Sequence, residues 1–165
     1  MNAHARELKV GDPAPKFRAF AVGGKYAAGK EISLKEFAGS PVVLYFYPKD
    51  DTPGCTAQAC GLRDAWPVIG SRANIFGVSV DSGTSHEKFI KKYGLPFPLL
   101  VDTEKKIVNS YGVWVEKSMY GRKYMGTERS TFVIDSNGRI AAIFRKVKPD
   151  EHVKILQEAL QTIAG

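Results

Sequence analysis

Residues 41–47, PVVLYFY, form a run of β-branched and aromatic side chains with no alternation. A strand that keeps one face in water must alternate, so this run predicts a strand buried on both faces. Such a strand needs cover above and below, which points to an α/β architecture. NIFGVSV (74–80) repeats the pattern and predicts a second buried strand, and residues 53–66 between them carry a helical pattern. The unit is therefore β-α-β, and its crossover is right-handed.

The rest of the chain extends this frame. FRAFAV (17–22) alternates loosely, as an edge strand does, and residues 30–34 suit a short strand. SLKEFAG (33–39) adds a helical turn closed by Gly39. Thr84-x-x-Glu87 has capping-box spacing and predicts a helix through Phe89, Ile90 and Tyr93, ended by Gly94. After Pro96 and Pro98 come a short strand, PLLV, and a short helix over 104–111. STFVID (130–135) and RIAAIFRKV (139–147) flank Asn137-Gly138, the strongest short hairpin signal. Val153, Leu156, Leu160 and Ile163 recur at helical spacing and predict an amphipathic C-terminal helix. The expected fold is a mixed central sheet with helices on both faces, in one domain over residues 1–165.

Composition removes several function classes. The 165 residues suit one domain, and two cysteines are too few for a disulfide-dense scaffold. No apolar run approaches the roughly 20 residues of a membrane helix. The opening MNAHARELKVGDPAPKF lacks the apolar stretch of a secretory signal, so the cytoplasm is the expected compartment. The net charge of +7 raises the question of nucleic acid. The basic residues are scattered, however, and EKSMYGRKY and FRKVK match no nucleic-acid-binding motif. They suit a solvated basic surface and acidic partners. No GxGxxG or Walker A sequence is present, and GVSVD (77–81) lacks the last glycine of a hydrolase elbow.

The chemistry concentrates in YPKDDTPGCTAQACGLRD (47–64), at the C-terminal end of the first buried strand, where α/β sheets collect their sites. Thr52 suits an N-cap, and Pro53 the first helical position. Cys55 then falls in the first turn. Unpaired N–H groups and the positive end of the helix favour thiolate there. The Thr52 hydroxyl is expected beside the sulfur, and Pro48 and Pro53 stiffen the loop. Cys60 lies five residues on. In an intact helix that separation is about 8–9 Å between Cα atoms, and a disulfide needs less than about 7 Å. Either the two never bond, or bonding requires the first turns to unwind. A zinc site lacks ligands at suitable spacing: His4, His86 and His152 show no partner pattern, and all three are expected at the surface.

Pro48-x-x-x-Thr52-x-x-Cys55 resembles the active-site motif of the peroxiredoxins, thiol peroxidases of thioredoxin-like fold. The longer run FYPKDDTPGCTAQACGLRD resembles the Q-type group, also called bacterioferritin comigratory protein. GDPAPKF and YGVWVEKSMYGRKYMGTERSTFVID resemble other segments of that group, so the likeness spans nearly the whole chain. It implies that Cys55 is the peroxidatic cysteine and Cys60 the resolving one. It also implies that Thr52 and Arg129 position the peroxide and that Pro48 shields the site. It further implies a helix that unwinds locally, no cofactor or metal, and thioredoxin or a glutaredoxin as reductant of a monomer or weak homodimer. Trp66-Pro67 departs from the group's continuous helix and predicts a break there. Two other classes stay open on the residues alone: a thiol–disulfide reductase, disfavoured by the C-x₄-C spacing, and a non-enzymatic chaperone or basic binding module.

Overall fold

The computed structural model describes residues 7–27 and 29–164. Strand β1 spans Arg18–Val22, β2 Lys30–Ser33, β3 Val42–Phe46, β4 Asn74–Ser79 and β5 Leu99–Val101. Strands β6 (Trp114–Met119), β7 (Arg122–Thr127), β8 (Ser130–Ile134) and β9 (Ile140–Phe144) follow. The helices are α1 (Pro53–Asp64), α2 (Trp66–Ile69), α3 (Gly83–Tyr93), α4 (Lys106–Ser110) and α5 (His152–Ala164).

As its unbroken apolar run requires, β3 is buried at every position. It lies inside a seven-stranded sheet of order β2-β1-β5-β4-β3-β8-β9. The pairs β3–β4 and β4–β5 are parallel, whereas β3–β8, β8–β9, β1–β5 and β1–β2 are antiparallel, so the sheet is mixed. Successive β3 side chains point to opposite faces. Val42, Leu44 and Phe46 join one apolar layer with Ile107 and Val108 of α4. Val43 and Tyr45 join the other, with Leu62 of α1, Phe89 of α3 and Leu156 and Leu160 of α5. Helices therefore cover both faces. Burying Leu156 and Leu160 contributes roughly 2 kcal/mol each, which seats α5 and brings its first residue, His152, under α1.

Four expectations change in detail. β1 is not the edge: it pairs with both β2 and β5, and β2 takes the outer place. The cap of α3 is Ser82, whose hydroxyl oxygen accepts from the Ser85 N–H, so the Thr84 box is not the start; Gly94 does end the helix, in the left-handed region at φ 62°. β9 stops at Phe144, beyond a register shift between Val133 and Ile134. β6 and β7 form a separate two-stranded ribbon, over residues whose sequence pattern predicts no element. The break at Trp66-Pro67 is present: α1 ends at Asp64, and α2 begins after Ala65.

Candidate active site

β3 delivers the chain to a loop over residues 47–52 whose acidic side chains are tied down. The Asp50 carboxylate accepts from Tyr47 OH at 2.6 Å and Ser85 Oγ at 2.7 Å, and it meets His86 Nδ1 at 2.7 Å. The Asp50 N–H donates to Asp81, whose carboxylate also accepts from Ser79. Asp51 accepts from Lys92 Nζ at 2.8 Å and Tyr93 OH at 2.7 Å. The loop is thus fastened to α3 immediately before the helix that carries the cysteines. Asp50, Asp81 and His86 lie close enough to share a cation. Tyr47, Ser79, Ser85 and the Asp50 N–H already bond the carboxylates, and the Leu100 carbonyl takes His86 Nε2 at 2.8 Å.

Thr52 is the N-cap of α1 by its extended backbone, and Pro53 holds the first helical position. The Thr52 hydroxyl donates to the Lys49 carbonyl at 2.8 Å and makes no capping bond. Pro48 is half-buried at the strand end. Cys55 lies in the first turn with 2% of its surface exposed. Cys60 lies on the same helix, partly exposed, and both thiols are free.

Arg129 reaches this turn from the link between β7 and β8. Its Nη1 lies 3.5 Å from Cys55 Sγ and donates to Gln58 Oε1 at 2.6 Å. Gly54 makes room for the guanidinium, since a Cβ there would come within 3.0 Å of Arg129 Nη2. Two backbone bonds hold the segment: Glu128 N–H to the Val113 carbonyl at 2.7 Å, and Val147 N–H to the Arg129 carbonyl at 2.9 Å. The Glu128 carboxylate accepts from Ser130 Oγ and Arg145, so it does not draw Arg129 away from the sulfur. Burial first, then the Arg129 charge, pulls the Lys117 ammonium of β6 below its usual range.

Beneath α1 lies a network that the sequence reading missed. Gln58 Nε2 stands 3.1 Å from His152 Nδ1, and His152 Nε2 stands 2.8 Å from Thr131 Oγ1. The imidazole tilts against Tyr45, with ring centroids 5.5 Å apart. Burial, helped by the Arg129 charge, pushes the His152 pKa down to about 4. The Tyr45 hydroxyl is buried without a hydrogen-bond partner among the described residues. Burial first, then the nearby Cys55 and Asp50, raises its pKa well above the usual value.

Of the residues singled out from sequence, Cys55 and Arg129 are in contact, and Thr52 and Pro48 frame the same turn. His86 and His152 are corrections. They are fully buried and not on the surface, because each has polar partners from distant parts of the chain. His4 lies outside the described residues. Gln58 was legible in principle, since it stands three residues from Cys55 and shares its helix face.

The AhpC/TSA family profile matches residues 10–143. The chain is 47% identical over 148 residues to the putative peroxiredoxin Bcp of Coxiella burnetii, covering 88% of this chain and 94% of that one. It is 45% identical over 157 residues to peroxiredoxin Bcp of Bacillus subtilis, covering 94% and 95%. Among solved structures it resembles peroxiredoxin Q of Xanthomonas campestris, at a TM-score of 0.82 and 36% identity over 90% of this chain and 92% of that one. It also resembles a cysteine-to-serine variant of Xylella fastidiosa PrxQ, at a TM-score of 0.87 and 30% identity over 97% and 99%. The mixed sheet and its helices are thus of the thioredoxin-like type expected.

Proposed function

The chain belongs to the AhpC/TSA family, in its Bcp or Q-type peroxiredoxin branch of thiol peroxidases, and from that premise we propose that Cys55 is the sulfur that reduces peroxide. The observation that carries this is a buried first-turn thiol with an arginine donor 3.5 Å from its Sγ.

The Cys55 thiolate attacks one peroxide oxygen in line, the O–O bond breaks, and the departing oxygen takes a proton and leaves as water or alcohol. Charge moves from sulfur to that oxygen. Arg129, a permanent cation with a planar set of donors, suits both ends of the displacement. Thr52 turns its hydroxyl from the Lys49 carbonyl toward the bound peroxide, and Pro48 keeps bulk water from the sulfur. Cys55 becomes a sulfenic acid. The Cys60 thiol then condenses with it, forming an S–S bond and releasing water. The regular helix holds the two apart, so α1 unwinds in its first turns for this step. A dithiol protein, thioredoxin or a glutaredoxin, restores both thiols by exchange. This cycle suits a reducing compartment such as the cytoplasm and a monomer or weak dimer. Hydrogen peroxide and organic hydroperoxides are the substrates, the latter supported by the alkyl peroxide reduction activity named for the Xanthomonas campestris bacterioferritin comigratory protein.

The test is peroxide-dependent NADPH oxidation coupled through thioredoxin and its reductase, run on wild type, Cys55→Ser and Cys60→Ser. Cys55→Ser is expected to lose all turnover. Cys60→Ser is expected to lose the coupled reaction while still trapping one sulfenic acid per chain. Full coupled turnover in Cys60→Ser would mean that the reductant meets the sulfenic acid directly. A wild-type Cys55 that peroxide leaves unoxidised would end the thiol-peroxidase reading.

A further inference from the structure

The hydrogen bonds beneath α1 have a direction that follows from their donors. A guanidinium has no acceptor, so Gln58 must turn its carbonyl oxygen toward Arg129, at 2.6 Å. Its NH₂ group then faces His152 Nδ1, at 3.1 Å. That nitrogen must accept and therefore carries no proton. The ring's one proton sits on Nε2 and is donated to Thr131 Oγ1, at 2.8 Å. A proton on Nδ1 would set two donors against each other. The amide of Gln58 could relieve that only by flipping, which would present NH₂ to Arg129.

We propose that His152 is a positioning residue for the peroxide reaction: held as the neutral Nε2–H tautomer, it fixes the amide of Gln58 and thereby aims the Arg129 donor at the Cys55 sulfur. This rests on Cys55 being the thiol that reacts. His152 and Thr131 act only through Gln58 and Arg129 and do not bond the sulfur.

Three surroundings favour the neutral ring. It is fully buried. It opens α5, where the positive end of the helix opposes a cation. The Arg129 charge adds to the burial in keeping its pKa down, at about 4. Other ionisable groups near Arg129 or this ring are Tyr45 on β3, Cys55 on α1 and Lys117 on β6, with Glu128 beside Arg129 in the chain. The arrangement also couples two distant parts of the chain, because unwinding α1 withdraws the Gln58 amide and leaves His152 Nδ1 without its donor.

The experiment uses the full reduced chain labelled with ¹⁵N-histidine, with His152 assigned by loss of its signal in His152→Gln. The ring is expected as the neutral Nε2–H tautomer at pH 7. An Nδ1–H tautomer or an imidazolium at that pH overturns the proposal. In parallel, peroxide oxidation of Cys55 is followed by stopped flow in wild type, His152→Phe and His152→Gln, each corrected for its folded fraction. Phenylalanine keeps a ring but offers no acceptor, and its variant is expected to react about tenfold more slowly, with the pH midpoint of the reaction moved upward. Glutamine can accept from Gln58 and donate to Thr131, so most of the rate should return. A His152→Phe variant that matches wild type per folded molecule, with an unmoved pH profile, overturns this inference alone. A wild type that peroxide does not oxidise removes the thiol-peroxidase reading and this role with it.

Discussion

His86 and His152 are both sealed from water, and each has both ring nitrogens within hydrogen-bond distance of a partner. Their partners differ in kind. His86 lies between a carboxylate oxygen and a carbonyl oxygen, so its ring faces an acceptor on both sides. His152 has an amide donor at one nitrogen, and a single proton satisfies the whole chain of bonds. Burial is equal, and the polarity of the neighbours is what sets the two rings apart. The mechanical outcome differs as well. The His86 cluster fixes the loop before α1 through the buried Asp50 carboxylate, which meets Tyr47, Ser85 and His86, and leaving a buried polar partner unsatisfied costs about 1–3 kcal/mol each. The His152–Gln58 contact holds α1 itself through a neutral bond, with a net value of about 1 kcal/mol. A firm anchor therefore stands beside a joint that opens cheaply.

The strongest way to break this contrast is Asp50→Ala, which leaves Tyr47, Ser85 and His86 without their shared buried partner. A loss of about 3–5 kcal/mol in urea unfolding is expected from three unsatisfied partners, and a loss below about 1 kcal/mol would show that the cluster does not anchor the loop. Arg129→Ala attacks the other region, and its effect should fall on rate. The peroxide reaction of Cys55 should slow by about 10²–10³, with unfolding free energy within about 1 kcal/mol of wild type; an unchanged rate constant would remove Arg129 from the chemistry.

Acidity sharpens the comparison further. The folded state keeps His152 at about 4, against an ordinary value of 6.5. The unfolded chain therefore binds the extra proton between those values. Stability from this group is complete above about pH 6.5 and is lost as pH falls toward 4, by roughly 3 kcal/mol at most. Urea midpoints of wild type and His152→Gln across that window should converge on acidification, and parallel curves would contradict the depressed value. The smallest effect belongs to Tyr45→Phe. It removes a hydroxyl that has no partner among the described residues, so thermal stability should stay within about 0.5 kcal/mol of wild type or rise slightly. A larger loss would reveal a bound water at that oxygen.

The sequence disclosed what depends on local pattern. The double burial of β3 and β4, the Asn137-Gly138 turn with Gly138 at φ 81°, and Thr52 before a first-turn Cys55 all follow from residue order within a few positions. What it withheld depends on distant partners. His152 meets Gln58 across 94 residues, and His86 meets Asp50 across 36, so neither burial has a local signature. Arg129 was reached through a family likeness, since 74 residues separate it from Cys55. The β6–β7 ribbon escaped because most of its residues are exposed and carry little apolar alternation. Its turn is Tyr120-Gly121, with both residues at positive φ, a geometry usually marked by asparagine or aspartate in the first place. Whether β1 lay at the edge depended on which strands flank it, and pairing order is a property of the whole sheet.

The segment bearing both cysteines is held at both ends. Asp50 and Asp51 fasten the near end to α3, and at the far end Ile69 is buried and Trp66 packs on Phe97. The 12 residues of α1 span about 18 Å as a helix and up to about 40 Å when extended. Each residue that leaves the helix therefore adds roughly 2 Å of contour between two fixed points. The sheet blocks the inside, so this slack can only bow outward as a loop. In the proposed cycle, a disulfide carried on that bow would stand clear of the surface, and a partner's dithiol could reach it without a groove shaped to receive it.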